Sequence, residues 1–537
     1  MYDLHLERAH FPAIEVGEIR DTTVGDLLRE AADRAPDRIA LKEMNLEGKI
    51  DRVWTYAELL ADAERLARAL LSRHKPGERI AVWSYNNPEW VLLEMAAGLA
   101  GLTLVTVNPS FQPREVKFVL EQSRSVALYA VESYRGNNMG DTARALAAEI
   151  PAIRDHIDML DHTALFAGSD SGAELPQVDP MDPAQIQYTS GTTGFPKGAV
   201  LHHRGLTNNA FLHHDRFGFR EGDVYINFMP MFHTGGCGVG ALGTLSKAGT
   251  MIVVAIFDPG AVNAVIEAEQ VTHFLGVPTM LVGMLEAHKA KPSDLSSVRG
   301  ITSGGSMVAP ELVKQVQAVF GCNVQIIYGQ TECCPLLTMV WGDDSLDDAT
   351  QTVGQPVPHT EMAILDTETH QVKAIGEIGE ICARGYMKML GYNDNPEATG
   401  KCIDAEGWLH TGDLGTMDAR GYVRVTGRVK EMIIRGGENL FPAEIENAML
   451  EHPNVAEVAV VGVPDDKWGE IVACFIRAEG GKPDKADLVA HCRERLSPQK
   501  TPAHWIYVSE WPLTGSGKIQ KFVLRDQFVE GLHVSLD

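Results

Sequence analysis

The chain is short of positive charge: 47 Lys and Arg stand against 72 Asp and Glu in 537 residues, a formal net charge of −25. An extended contact with nucleic acid or anionic lipid needs a basic face, so neither is expected as a partner. A small polyanion such as a nucleotide needs only a local basic pocket. Cysteine is scarce too. Eight of them, irregularly spaced and with no C-x-x-C, give neither a disulfide framework nor a zinc pattern. Free thiols in a reducing cytoplasm are the expectation, Cys333 and Cys334 included. No long apolar run is uninterrupted either. The most apolar stretch, Val91 to Val107, contains Glu94, Gly98 and Gly101, and reads as a buried helix turning at Gly101 into a strand rather than as a transmembrane segment. The first residues lack the apolar core of a secretion signal, and the last match no lipidation or peroxisomal tail.

What is present is the pattern of an α/β protein. The length predicts two to four units. Thr23 and the box Thr55/Glu58 mark helix starts, each followed by an apolar stripe. Helices alternate with short apolar strands, such as Arg79 to Ser84, Thr250 to Phe257 and Val324 to Tyr328, up to about residue 330. From about 352 the texture changes to short strands between Gly, Asp and Asn, which predicts a small β-rich subdomain. A compact β/α unit follows Pro442. The expected fold is a large N-terminal domain of parallel-rich sheets with helices plus that subdomain, residues 1–429, and a small mobile α+β C-terminal domain, residues 430–537.

One stretch concentrates polar chemistry. Tyr188-Thr-Ser-Gly-Thr-Thr-Gly-Phe-Pro-Lys-Gly198 holds three glycines, four small hydroxyl residues and one lysine in eleven positions. Glycine permits close backbone approach to an anion, hydroxyls and amides donate, and the lysine adds charge. It is not a Walker loop, because Pro196 stands where the second glycine belongs. A plain surface turn is the competing reading. Four other stretches carry polar residues that a packed core does not require. Tyr328-Gly-Gln-Thr-Glu332 follows an apolar strand, at the carboxyl end where open α/β sheets place ligands. His410-Thr-Gly-Asp413 reads as a loop between strands, where Asp413 suits a ribose diol or an Asx-turn. Arg428, Lys430 and Arg435 form a charged, glycine-bearing segment, and Lys518 lies in a small-residue loop near the terminus.

Together these stretches resemble the adenylate-forming superfamily of acyl-CoA synthetases, luciferases and peptide-synthetase adenylation domains. The likeness covers nearly the whole chain, with the motifs in order: Thr189 to Gly198, Phe232-His233, Tyr328 to Glu332, Thr411 to Asp413, Gly427 to Glu431, Arg435 to Asn439 and Gly517 to Ile519. Within the family, the Gly427 to Asn439 and Ser516 to Lys521 stretches look most like medium-chain fatty acyl-CoA ligases. The resemblance implies a carboxylate attacking the α-phosphate of ATP, loss of pyrophosphate, and displacement of AMP by the thiol of coenzyme A. It assigns Thr189, Ser190, Gly191, Thr192, Thr193, Gly194 and Lys197 to the β- and γ-phosphates, and Glu332 to Mg²⁺. Thr331 would touch the α-phosphate, and Lys518 would neutralise charge growing between the two anions. Tyr328, Gly329, Gln330, Gly304 and Gly305 would surround the nucleotide, with Asp413 and Arg428 at the ribose. His233, Gly235 and Gly305 would border the acyl group. Lys430 would be the hinge that exchanges Lys518 for Gly436 and Gly437, which line the path for pantetheine. The implied cofactors and substrates are ATP, Mg²⁺ and coenzyme A, and a homodimer is compatible.

No carboxylate lies between Phe232-His233 and Asp258, so an amino-acid substrate, whose amine needs an acidic partner, is not expected. Glycines at 235, 236, 238 and 240 either open an acyl pocket or allow close helix packing. The expected activity is ligation of a fatty or similar apolar acid to coenzyme A. The alternatives are an aryl or other small-acid ligase, a luciferase-like oxygenase, and a nucleotide sensor without turnover. Gly238-Val-Gly-Ala-Leu-Gly243 fits G-x-G-x-x-G but lacks the strand that should lead into it. The pairs His202-His203 and His213-His214 lack a third metal ligand at sensible spacing and are expected on helix surfaces. Asp343 to Asp348 is expected to be a solvated loop.

Overall fold

The computed structural model describes residues 1–189, 196–305, 308–436, 438–513 and 519–536. The chain divides into two compact units. The first comprises Met1–Tyr2, Phe11–Met362 and Ala383–Leu409, and the second Asp3–His10, Ala363–Cys382 and His410–Asp537.

Local signals in the sequence set the frame of the first unit. Thr23 caps Val24–Arg34 by accepting from the Asp26 amide, and Thr55 and Glu58 make a reciprocal capping box on Tyr56–Leu71. Pro88–Ala100 is buried on every face and ends at Gly101, whose φ of 66° suits glycine, before the strand Thr103–Val107. A seven-stranded sheet runs Gly391–Tyr392, Lys197–His202, Pro183–Thr189, Thr103–Val107, Arg79–Trp83, Ala127–Ala130, Asp155–Asp158. Its pairs are parallel from Pro183–Thr189 onward and antiparallel over the first three strands. A nine-stranded sheet is parallel through its middle, where Gly300–Gly304 lies beside Val324–Gly329 and His273–Leu275. Helices fill the space beside it with Val262, Ile266, Leu281, Val313 and Phe320.

A five-stranded sheet, most of whose residues belong to the second unit, is ordered His10–Phe11, Thr360–Leu365, Gly379–Gly385, Leu409–Met417, Val423–Arg428. A separate sheet built on the long antiparallel pair Val455–Asp465 and Gly469–Ala478 packs against Pro442–Leu450 and Lys485–Arg495. The expected α/β architecture is present, with parallel-rich sheets and helices in the first unit and β-rich and α+β parts in the second. Two local expectations need correction. Residues 410–413 are not a loop but part of the strand Leu409–Met417, because Thr411 and Gly412 bond sideways to the neighbouring strand. Leu346–Gln351 is a helix capped by Ser345, so only the start of the acidic stretch 343–348 is loop.

The histidine pairs also depart from expectation. His202, His203, His213 and His214 are buried, at most 2% exposed. His203–Arg216 is sandwiched rather than superficial, with Leu206, Ala210 and Leu212 buried beside them. His213 and His214 approach through their Nδ1 atoms at 3.1 Å. His214 packs against Phe219 and Tyr225, and lies so close to Gly243 that a methyl group there would sit 2.2 Å from the imidazole. Burial pushes His213 down to about 3 and His203 to about 4, and burial together with His213 holds His214 well below the ordinary value. A histidine held neutral in the fold contributes stability that is complete above pH 6.5 and is lost as pH falls toward its folded pKa. Between pH 7 and 5, His213 should therefore remove about 2 kcal/mol of stability. In urea denaturation at those two pH values, His213→Gln should show a smaller fall in stability than the wild type by roughly that amount. An equal fall would mean that His213 does not charge on unfolding.

Candidate active site

Three strand ends of the first unit carry the polar residues singled out in the sequence. Pro183–Thr189 and Lys197–His202 form an antiparallel hairpin in which Thr189 stands directly opposite Lys197. Of the expected phosphate loop, Thr189 and Lys197 thus stand side by side at the hairpin's end, while Ser190, Gly191, Thr192, Thr193 and Gly194 lie outside the described residues. In the other sheet, Gly300–Gly304 and Val324–Gly329 run parallel, with Gly304 beside Ile327. Gly304, Gly305, Tyr328, Gly329, Gln330, Thr331 and Glu332 therefore emerge together at carboxyl ends, as ligand sites of open sheets require. Glycine is needed at two of these positions. A methyl group at Gly304 would lie 2.4 Å from the Ile327 carbonyl oxygen, and one at Gly329 would lie 1.9 Å from that of Pro335.

No motif marks the residue that joins these ends. Tyr392 belongs to the short strand Gly391–Tyr392, which pairs antiparallel with the hairpin strand Lys197–His202. Its hydroxyl donates to Glu332 Oε1 at 2.6 Å, and the Lys197 ammonium lies 5.1 Å from its ring centroid. The backbone reinforces the link, since the Met389 amide donates to the Glu332 carbonyl at 2.9 Å. Burial and the Glu332 charge push the Tyr392 phenol far above its usual range, so it stays a donor. Glu332 is 8% exposed, and among the described residues Tyr392 is its only side-chain hydrogen-bond partner. A hard carboxylate oxygen at a strand end fits Mg²⁺, which takes one or two carboxylates and completes its shell with water and phosphate.

His233 and Gly235 lie at the start of a π-helical segment, Gly235–Leu242, with the Gly235 amide donating to His233 Nδ1 at 3.1 Å. Two of its four glycines are needed for packing. A methyl group at Gly236 would meet the Pro230 carbonyl oxygen at 2.3 Å, and one at Gly240 would meet Asn227 at 2.7 Å. Gly238 has only ordinary contact space, its nearest neighbour being Thr234 Cβ at 3.8 Å. Around Gly235 the closest atoms are His233 Nδ1, Met229 Cε and Leu275 Cδ2, and around Gly305 Val277 Cγ1. Met229 and Leu275 belong to one apolar cluster against which Val277, Met280 and Ile327 pack. Behind the segment a buried polar chain runs from Glu94 to Gln185 at 2.6 Å, to Gln187 at 2.7 Å, and to Cys237 Sγ at 3.2 Å. Burial raises the Glu94 carboxyl well above its ordinary value.

In the second unit Asp413 and Arg428 face each other across neighbouring antiparallel strands and form an ion pair at 3.0 Å. Asp413 is 6% exposed, while the Arg428 side chain is 56% exposed. Lys430, exposed, lies in a single 3-10 turn, Val429–Glu431. Gly436 is left-handed at φ 58° and lies against Trp468, where a methyl group would sit 2.7 Å from the ring. Arg435 is not a solvated charge, because its guanidinium donates to the Gln499 carbonyl at 2.5 Å and lies over Trp468. Gly437 and Lys518 lie outside the described residues. Lys521, three positions after Lys518, forms ion pairs with Glu446 at 2.8 Å and Glu431 at 3.1 Å, and so joins the segment after that loop to the 3-10 turn.

Comparison with known proteins gives a consistent result. A family model described as AMP-binding enzyme matches residues 28–393, and one described as AMP-binding enzyme C-terminal domain matches residues 444–518. The chain is 36% identical over 552 residues to the putative acyl-CoA synthetase YngI of Bacillus subtilis, covering 97% of this chain and 100% of that one. It is 32% identical over 562 residues to the mitochondrial medium-chain acyl-CoA ligase ACSF2 of Homo sapiens, covering 96% and 89%. The crystal structure of ATP-bound MatB from Rhodopseudomonas palustris superposes with a TM-score of 0.84 at 29% identity, covering 94% of this chain and 99% of that one. Among the described residues, no helix is long and apolar enough to cross a membrane.

Proposed function

We propose that this chain, which belongs to the AMP-binding, adenylate-forming enzyme family and is an AMP-forming acid–thiol ligase, activates a medium- or long-chain fatty acid, or a similar apolar acid, as its adenylate and passes the acyl group to coenzyme A. The observation that carries the choice of acid is the surroundings of Gly235 and Gly305. Apart from His233, the atoms closest to these glycines come from Met229, Leu275 and Val277. An apolar tail gains about 0.8 kcal/mol per buried CH₂ in such surroundings, whereas a second carboxylate or an amine would need a partner charge. The medium-chain ligase ACSF2 among the relatives supports the same reading.

Thr189 and Lys197 at the hairpin mouth, with residues 190–194, hold the β- and γ-phosphates of ATP. Glu332 would hold Mg²⁺, which would supply positive charge to offset that of the phosphates. Tyr392 fixes the Glu332 carboxylate by occupying Oε1. Thr331 reaches the α-phosphate, Tyr328 packs on adenine with Gly304, Gly329 and Gln330 around it, and Asp413 accepts from the ribose hydroxyls while paired with Arg428. The carboxylate of the acid attacks the α-phosphorus, the bond to the bridging oxygen breaks, and pyrophosphate leaves. Lys518 compensates the charge that builds between the two anions. The thiol of coenzyme A then attacks the acyl carbon and AMP departs. Lys430 is the hinge between residues 1–429 and 430–537 for the second step, with Gly436 and Gly437 beside the pantetheine.

Pyrophosphate release measured with octanoate and with benzoate, coenzyme A present, tests the substrate class. Octanoate should give the higher kcat/KM by at least roughly tenfold, since several buried CH₂ groups are at stake. Benzoate preferred would favour the aryl-acid ligase, and no release with any acid would sink the catalytic assignment. Lys518→Ala should slow adenylate formation about 10²- to 10³-fold while leaving thioester formation from supplied acyl-adenylate near wild type. Equal loss of both half-reactions in a folded variant would remove Lys518 from its assigned step. Tyr392→Phe should raise the Mg²⁺ concentration needed for half-maximal rate by about tenfold or more, and an unchanged requirement would separate Tyr392 from Glu332.

A further inference from the structure

We propose that Glu380, Cys382 and His410 form a binding site for a thiophilic divalent cation such as Zn²⁺. Glu380 and Cys382 are two apart on the strand Gly379–Gly385, so their side chains leave the same face. His410 stands on the adjacent strand Leu409–Met417. Its Nδ1 is 2.8 Å from Glu380 Oε2 and 3.4 Å from Cys382 Sγ, and one ligand atom from each of the three residues lies within 4.8 Å of the other two.

With a metal–sulfur bond of about 2.3 Å and metal–nitrogen and metal–oxygen bonds near 2.0–2.1 Å, a tetrahedral site has an N···S edge of about 3.6 Å and an N···O edge of about 3.4 Å. The sulfur edge is already in place, and the nitrogen–oxygen edge needs to open by roughly half an ångström. The donor set fits the ion. A thiolate and a carboxylate cancel its two charges, and a sulfur with a nitrogen ligand selects zinc-like ions over Mg²⁺. On binding, the metal–sulfur bond replaces the S–H bond of Cys382, whose proton goes to solvent, and His410 offers the Nδ1 lone pair with its proton on Nε2. The other Glu380 oxygen, Oε1, accepts from the Gly412 amide at 2.9 Å, which fixes the carboxylate in the manner of supporting shells around metal ligands. The His370 ring lies edge-on to His410 with centroids 5.2 Å apart, and a water would take the fourth position. Nothing in the sequence marks this site, because His410 is 28 to 30 residues from the other two ligands and meets them only through strand pairing.

The full-length protein, stripped with chelator, is titrated with Co²⁺ and followed by optical absorption. One equivalent should bind at about micromolar concentration with a thiolate-to-cobalt charge-transfer band. The band should vanish in Cys382→Ser and persist in Cys322→Ser. Equimolar Zn²⁺ should raise the melting temperature of the wild type and leave that of Cys382→Ser unchanged. Absence of the band in the wild type, its survival in Cys382→Ser, or its loss in Cys322→Ser overturns the site. Should Cys382→Ser fail to fold, Glu380→Gln, which can still accept from Gly412, must weaken cobalt binding at least tenfold, and binding as tight as the wild type also overturns it.

Discussion

The hydrogen bond from Tyr392 to Glu332 ties together the strand ends that carry the first unit's part of the candidate active site. Glu332 stands just past a strand of the nine-stranded sheet, whereas the hairpin that carries Lys197 belongs to the seven-stranded one. Apolar packing is non-directional and does not by itself fix where the strand ends of two sheets stand relative to each other. A short donor–acceptor contact of 2.6 Å, closed by a residue paired into the hairpin's own strand, removes that freedom. It also sets charge. The phenol takes up one carboxylate oxygen, and the face of its ring meets the Lys197 ammonium. Anion and cation are thereby kept near each other without forming an ion pair, and each keeps capacity for a ligand.

Such a contact explains why part of the site was readable in the sequence and part was not. Features carried by neighbours in the chain were legible. The helix caps at Thr23 and Thr55, the left-handed Gly101 and the polar residues at strand ends all follow from spacings of a few residues. Tyr392 lies 60 residues from Glu332, and a single tyrosine between two loops carries no local signal. The histidine pairs failed for the related reason that their surroundings come from other elements. Phe219, Tyr225 and Gly243 close over His214, and no helical spacing within 203–216 announces it. The 410–413 stretch read as a turn because Thr-Gly-Asp is turn chemistry. Its bonds to Ile381 and Glu380 instead extend it as a strand, with Gly412 at φ 73° absorbing the irregularity.

The glycines after His233 show where small residues mislead. A run of glycines suggests space, yet Gly236 and Gly240 are small because Pro230 and Asn227 occupy the volume a side chain would need. The segment is wound as a π-helix, a form that recurs at functional sites, and close packing lets it fit. The apolar surroundings of Gly235 and Gly305, rather than the glycine count, are what speak for a greasy substrate.

Charge supplies the last constraint. In a chain with 25 more acidic than basic side chains, most cations near the site residues are engaged: Arg428 with Asp413, Lys521 with Glu446 and Glu431, Arg435 with the Gln499 carbonyl. Lys197 differs. Among the described residues no carboxylate comes within ion-pair distance of it, and its ammonium faces a ring. A ring offers on the order of 1 kcal/mol to a partly exposed cation, far less than a phosphate in a partly desolvated site. An ammonium held so weakly, at the mouth of a hairpin with the Glu332 carboxylate fixed beside the same tyrosine, is free to move onto an arriving polyanion without first breaking an ion pair. The surplus of acid elsewhere on the chain makes that local exception the more selective. A phosphate chain is repelled from most of the surface and attracted where basic charge remains uncompensated.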